Sequence, residues 1–332
     1  MIFTRYQAYG LRFFVVDFKF SPQRHGGHSK KRYTNIFSIL LSIFYIILFM
    51  TNQLTISCEF FPPKTEKGIA ILRDVRKKLA PLNPEFYSVT FGAGGSTQDN
   101  TLDAVIDIQQ ASATTGIDAA PHLSCVGSTQ DSIRALLTTF KTNNIRRIVA
   151  LRGDLPSGMR DPGEFRYANE LVEFIRQETG DHFTIEVAAY PEVHPQAESA
   201  QADLGHFKRK VDAGADSALT QYFYNVDAYL YFVERCQKSG INIPIIPGIM
   251  PINNFSQLAR FSDGCGAEIP RWLRKRLEGF HDDTESLQAF TLDFLTSFTE
   301  KLIKAGAPGL HFYSMNRVEP TLTICQRLGL VS

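Results

Sequence analysis

The stretch Ser57-Cys58-Glu59-Phe60-Phe61-Pro62-Pro63-Lys64-Thr65 puts a carboxylate at the end of an apolar run and then stops the run with two prolines. Thr55–Phe60 has the composition of a short buried strand, and neither proline has a backbone N–H to continue it, so Glu59 falls at a strand's C-terminal edge beside two phenylalanines. A carboxylate is seldom put in apolar surroundings without a partner or a task. Seven further runs share this β-rich character: Phe86–Phe91, Ala119–Cys125, Arg147–Leu151, Thr184–Ala189, Ala218–Phe223, Ile243–Ile249 and Leu310–Tyr313. Each is mostly apolar without strict alternation, as in strands covered on both faces. They recur roughly every 30 residues, the length of one right-handed βα unit, and eight such units make a (β/α)8 TIM barrel. The last gap is roughly twice as long, and Ile269–Phe280, with the lone Trp272, is expected to add a helix there. The other architecture with this alternation, an open doubly wound sheet, would carry a G-x-G-x-x-G after the first strand, and none is present.

Helical patterns fill the gaps. Ile133, Leu136, Leu137 and Phe140 share one face, as do Phe165, Ala168, Leu171, Val172 and Ile175, and later Leu287, Phe290, Phe294, Phe298 and Leu302. Thr129 and Asn225 are placed to cap helix starts.

The chain of 332 residues is 44% hydrophobic and 21% charged, ordinary values for a globular enzyme with a full core. Its net charge of +1 hides an asymmetry: residues 1–49 hold seven Lys/Arg against one Asp, which leaves the rest of the chain acidic and gives no sign of nucleic-acid binding. The five cysteines are widely spaced and form no C-x-x-C pair, a pattern that fits a reducing, cytoplasmic compartment without structural zinc. Residues 1–49 are a basic and hydrophobic extension read as lying outside the fold, with the barrel domain spanning residues 50–332. The apolar run Ile36–Met50 could be a signal-peptide core or a short membrane anchor; an upstream start ahead of a true start at Met50 is the reading preferred here.

Catalytic groups of such barrels lie at the C-terminal strand ends. Polar residues stand at nearly every one: Glu59; Thr90 and the Gly92–Gly95 loop; His122; Arg152-Gly153-Asp154; Tyr190, Glu192 and His194; Gln221; Asn316 and Arg317. Taken singly, Asp154 could cap a turn, His122 could be a core histidine, and Lys208-Arg209-Lys210 could be a solvated helix face. Their joint occurrence argues for a site. Three histidines, His122, His194 and His311, also admit a metal-assisted lyase or hydrolase using His122, Asp154 and His194, although no H-x-H or H-x-x-x-H pair is present and no metal is assigned.

In order and spacing, the strings Glu59-Phe60-Phe61-Pro62-Pro63, Ser88-Val89-Thr90-Phe91-Gly92-Ala93, Ala120-Pro121-His122-Leu123, Ala150–Pro156, Ala189–Pro195, Lys208–Asp216 and His311-Phe312-Tyr313 resemble the methylenetetrahydrofolate reductases of the short bacterial type. The resemblance runs from about Ile56 to Gly329. It implies a flavoprotein of one-carbon and methionine metabolism that reduces 5,10-methylenetetrahydrofolate to 5-methyltetrahydrofolate, with FAD taking hydride from NADH or NADPH, and a homo-oligomer. By the same resemblance Glu59 matches the general acid that opens the folate imidazolidine ring, and Asp154 the acid near the flavin pyrimidine edge. Thr90, Phe91, Ala93, His122, Arg152, Gly153, Asp154, Tyr167, Ala168, Tyr190, His194, Ala197, Asp203, His206, Arg209 and Lys210 fall where the family holds FAD or the nicotinamide. Gln221, Gln257, Phe261 and Arg317 match substrate contacts. Phe91 stands where the family commonly has Tyr, and His206 where Asn is expected. For its acid role, burial against Phe60 and Phe61 is expected to lift the Glu59 pKa from about 4.3 toward about 6–7, and Arg209 and Lys210 to give a pyrophosphate its counter-charge.

Overall fold

The computed structural model describes residues 2–8, 11–17, 54–91, 98–154 and 163–331. Its contacts divide the chain into Met1–Gln53 and Leu54–Ser332. In the first unit Ile2–Ala8 pairs antiparallel with Leu11–Asp17; the run Ile36–Met50 lies outside the described residues. Among those described, no helix is long and apolar enough to cross a membrane.

The second unit is the barrel. Its strands are β1 (Thr55–Phe60), β2 (Phe86–Val89), β3 (Asp118–Ser124), β4 (Arg147–Leu151), β5 (Thr184–Ala189), β6 (Ser217–Thr220), β7 (Ile245–Ile246), β8 (Gly248–Ile249) and β9 (Gly309–Tyr313). They pair in parallel in the order β8-β9-β1-β2-β3-β4-β5-β6-β7. The two shortest strands are halves of one stave broken at Pro247, which has no N–H for the ladder. The first half pairs with β6 and the second with β9, so nine strands make the expected eightfold barrel. The Pro247 carbonyl still accepts from His311 N at 3.0 Å, which carries the ladder across the break.

Helices follow the strands: α1 (Glu66–Leu79), α2 (Gln98–Thr115), α3 (Gln130–Thr142), α4 (Ala168–Thr179), α5 (Ala200–Asp212) and α6 (Val226–Lys238). The long last gap holds α7 (Phe255–Cys265), then α8 (Arg271–Glu278), the added helix expected within Ile269–Phe280, and α9 (Thr284–Lys304), which carries the expected Leu287–Leu302 face; α10 (Thr321–Arg327) follows β9. Thr129 and Asn225 cap α3 and α6 as expected, with the Thr129–Ser132 pair forming a reciprocal box. The start of α1 is fixed just after the prolines by Thr65, whose hydroxyl accepts from Gly68 N at 3.1 Å.

The pleat sorts side chains between two cores. From β1, Ile56, Cys58 and Phe60 face the helices and join the large outer core, while Ser57 and Glu59 face inward. The interior is filled by Phe86, Ala120, Val149, Leu219 and Ile246. Below this layer, at the N-terminal end, Arg147 pairs with Glu186 and Glu85, and Ser217 donates to Glu186.

Candidate active site

Register places the site. On the two neighbours of β1, Ser57 and Glu59 lie opposite His311 and Tyr313 of β9, and Glu59 lies opposite Ser88 of β2. Because every second residue points inward, these side chains converge inside the barrel mouth. Glu59 Oε2 stands 3.2 Å from His122 Nε2 and 3.6 Å from His311 Nε2. Neither imidazole nitrogen has an aligned hydrogen-bond partner, so the carboxylate is held by charge and proximity more than by directed bonds. Behind it, Ser57 Oγ lies 2.7 Å from His311 Nδ1. Tyr313 crosses the mouth to donate to the Thr220 carbonyl at 2.8 Å. That crossing requires glycine at position 248, where a Cβ would stand 2.7 Å from the tyrosine ring and 2.3 Å from Thr220 O.

The prolines end β1, but a latch from β9 holds its end in place. Asn316 accepts from Phe61 N at 2.8 Å and donates to Phe61 O at 3.0 Å, and Ser314 donates to the Glu59 carbonyl through both N and Oγ.

Two expectations for Glu59 are corrected. Phe60 is 1% exposed on the helix side, edge-on to Tyr87, and Phe61 is 44% exposed, so neither ring walls the carboxylate. Burial in the barrel does push its pKa up, but the charges and contacts of His122 and His311 outweigh burial and bring it down to about 2. Glu59 is therefore ionised at neutral pH. The groups touching it that can bring it a proton are the two imidazoles.

Around the mouth, Thr90 begins the loop after β2, its N donating to Phe60 O at 2.9 Å and its carbonyl accepting from Thr101. Phe91 is half-buried beside it; Ala93 lies outside the described residues. After β4, Gly153 has φ +82°, and a Cβ there would lie 1.9 Å from Ser124 Oγ, itself bonded to the Arg152 carbonyl. This is a turn only glycine fits. Arg152 reaches Gln196 at 2.7 Å, and Asp154 is exposed at the rim. After β5, the Tyr190 ring packs edge-on to His194 with centroids 4.5 Å apart. Burial, helped by the Asp154 charge, pushes the Tyr190 phenol up to about 12, and burial pushes the His194 imidazole down. Asp203 accepts from His194 N at 3.0 Å, and Ala197 N donates to the His194 carbonyl. Tyr167 caps the start of α4 with its side chain exposed, and Ala168 is the first residue of that helix.

On α5, His206 and Arg209 are exposed, whereas Lys210 turns inward to donate to the Ala188 carbonyl. Arg209 and Lys210 thus do not form one surface patch. Burial, opposed by Asp203, lowers the Lys210 pKa to about 8. Gln221 begins the loop after β6, its N donating to Ala189 O. Gln257 and Phe261, one turn apart on α7, share a small cleft with Met315, and Arg317 is exposed after β9. Among the described residues, no three His, Cys, Asp or Glu side chains are gathered to hold a metal ion.

Ser57, Ser88 and Tyr313 were absent from the site drawn from sequence, and His311 entered it only as one of three histidines. The signal was there: an inward Glu59 implies an inward Ser57, and barrel closure puts the inward residues of the last strand against both.

Fold and site together define a (β/α)8 barrel with a charged catalytic-type cluster at its C-terminal mouth. Residues 47–329 match the family model of methylenetetrahydrofolate reductase. The chain is 43% identical over 279 residues to 5,10-methylenetetrahydrofolate reductase of Escherichia coli (strain K12), covering 84% of this chain and 92% of that protein. It is 39% identical to methylenetetrahydrofolate reductase (NADH) 1 of Arabidopsis thaliana, covering 84% of this chain and 49% of that longer protein. A solved structure from Clostridium thermocellum, described as an uncharacterized protein that binds two copies of 5-methyl-5,6,7,8-tetrahydrofolic acid, superposes with a TM-score of 0.56 at 19% identity, over 82% of this chain and 93% of that one. The likeness is one of fold. The chain belongs to the methylenetetrahydrofolate reductase family.

Proposed function

We propose that the protein reduces 5,10-methylenetetrahydrofolate to 5-methyltetrahydrofolate, with reducing equivalents from NADH or NADPH passing through bound FAD. Within this family the observation that carries the reading is Glu59, an inward carboxylate at a strand end touching two imidazoles.

The mouth fits a flavin. Gly153 lets backbone approach where any side chain would collide, and Lys210 is an inward-turned cation that would give a pyrophosphate its counter-charge. Thr90, His122, Arg152, Asp154, Tyr190, His194 and Asp203 stand around the same strand ends and would hold it. Bound FAD would supply a two-electron carrier between nicotinamide and folate. Glu59 takes a proton from its imidazole neighbours and gives it to a folate ring nitrogen, which opens the five-membered ring to an iminium. Gln221, Gln257, Phe261 and Arg317 orient the folate.

The test is an absorption spectrum of the purified protein, followed by anaerobic bleaching with NADH and recolouring with methylenetetrahydrofolate. Protein that is colourless and takes up no FAD overturns the reading.

A further inference from the structure

A cleft of about 200 Å³ lies on the outside of the barrel, between the C-terminal halves of α1 and α2 and the start of β2. Helices of the barrel run back along the strands, so these helix ends stand at the N-terminal face, away from Glu59. Tyr87, Ile108 and Ile117, each no more than 3% exposed, give the cleft an apolar lining. The charged residues lining it are Arg73, Arg76 and Lys77, and among the described residues no acid lines it. Asp107 is shared between the two guanidiniums: its Oδ1 accepts from Arg73 Nε at 3.0 Å and Nη2 at 2.5 Å, and its Oδ2 from Arg76 Nη2 at 2.5 Å. Arg76 is 8% exposed, and its Nε has no hydrogen-bond partner among the described residues. A buried N–H without an acceptor is costly. Lys77 has neither an ion pair nor a hydrogen bond among the described residues. The negative end of the α1 dipole accounts for basic residues in its last turn, and Lys78 there turns to Asp74 at 2.7 Å. It does not account for three cations edging an apolar recess that no acid enters.

We propose that this cleft binds a small monocarboxylate with an apolar body, a ring or a branched chain, at a second site remote from the barrel mouth. The body lies against Tyr87, Ile108 and Ile117, and the carboxylate meets Arg76 and Lys77, which tie it to α1 while the body rests on α2. The size fits: an apolar cavity of about 150 Å³ takes up benzene, and the cleft offers about 200 Å³. Inorganic phosphate carries the charge but has no apolar part to bury against the three side chains. An uncharged ring has the body but leaves the cations as they are.

Benzoate is the probe, titrated into the full-length protein by isothermal calorimetry. It should bind saturably at one site, with benzyl alcohol and inorganic phosphate each about tenfold weaker or more. Lys77→Gln removes an exposed cation and should weaken benzoate by about threefold to tenfold. Ala111→Phe sets a ring across the exposed edge of the cleft and should abolish binding. Arg73→Gln, at a side chain 60% exposed, gives the same reading as Lys77→Gln if Ala111→Phe does not fold. No saturable benzoate binding, benzyl alcohol or phosphate binding as tightly as benzoate, or a benzoate affinity that none of the variants moves overturns the inference.

Discussion

The barrel buries two carboxylates at opposite ends of one interior, and they differ in the company they keep. Glu186, at the N-terminal end, is fully buried against Arg147 and Ser217. Burial raises its pKa, because the one guanidinium is shared with Glu85 and does not cancel the desolvation. Glu59, at the C-terminal end, meets imidazoles, and its pKa falls to about 2. Arginine keeps its proton at any pH a protein survives, so the lower pair can only hold the staves together. Histidine gains and loses a proton near neutrality, so the upper cluster can exchange one. The partner, more than the burial, separates an acid that is only a tie from one beside groups able to exchange a proton.

That contrast can be broken from either end. Glu59→Gln should slow the folate half-reaction by about 10²–10⁴-fold while leaving FAD uptake and nicotinamide oxidation in place, as stopped-flow absorbance would show. If both half-reactions persist, Glu59 is not the proton donor. Arg147→Met should spare the chemistry of whatever protein folds but cost about 3–5 kcal/mol in urea denaturation, because it strands Glu186 without its counter-ion. Gly153→Ala tests the proposed cofactor cradle. Strain of about 1–3 kcal/mol from the positive φ, plus the collision with Ser124, should appear as weaker FAD retention on gel filtration. The smallest effect is in acid. The ionised Glu59 stabilises the fold fully above pH about 4.5, and this contribution is lost as pH falls toward 2, so wild type and Glu59→Gln should converge in stability across that window. Parallel titration curves would show that the imidazoles do not hold the carboxylate.

Much of this was legible in the chain. The bounds of β1, β4 and β5 followed from composition and punctuation, because a doubly covered strand ends abruptly at Pro, Gly or a charged residue. The eightfold repeat followed from spacing. The facing of Phe60 did not: adjacency in sequence suggested that it walls Glu59, whereas neighbours in a strand point to opposite faces. Nor did the partnership of Ser57 with His311, 254 positions apart, since nothing local announces a contact made only when a barrel closes. The split at Pro247 was hidden because Ile243–Ile249 reads as one apolar run.

The Asn316 latch on Phe61 joins residues 255 positions apart, so Glu59 acquires its surroundings only when the final stave docks. Closing so long a loop is entropically costly and slow, and every earlier stage of folding has an open barrel and a carboxylate without its neighbours. A circular permutant that joins β9 directly ahead of β1 would make that contact local, and the surroundings of Glu59 would no longer wait on the closing of a loop that long.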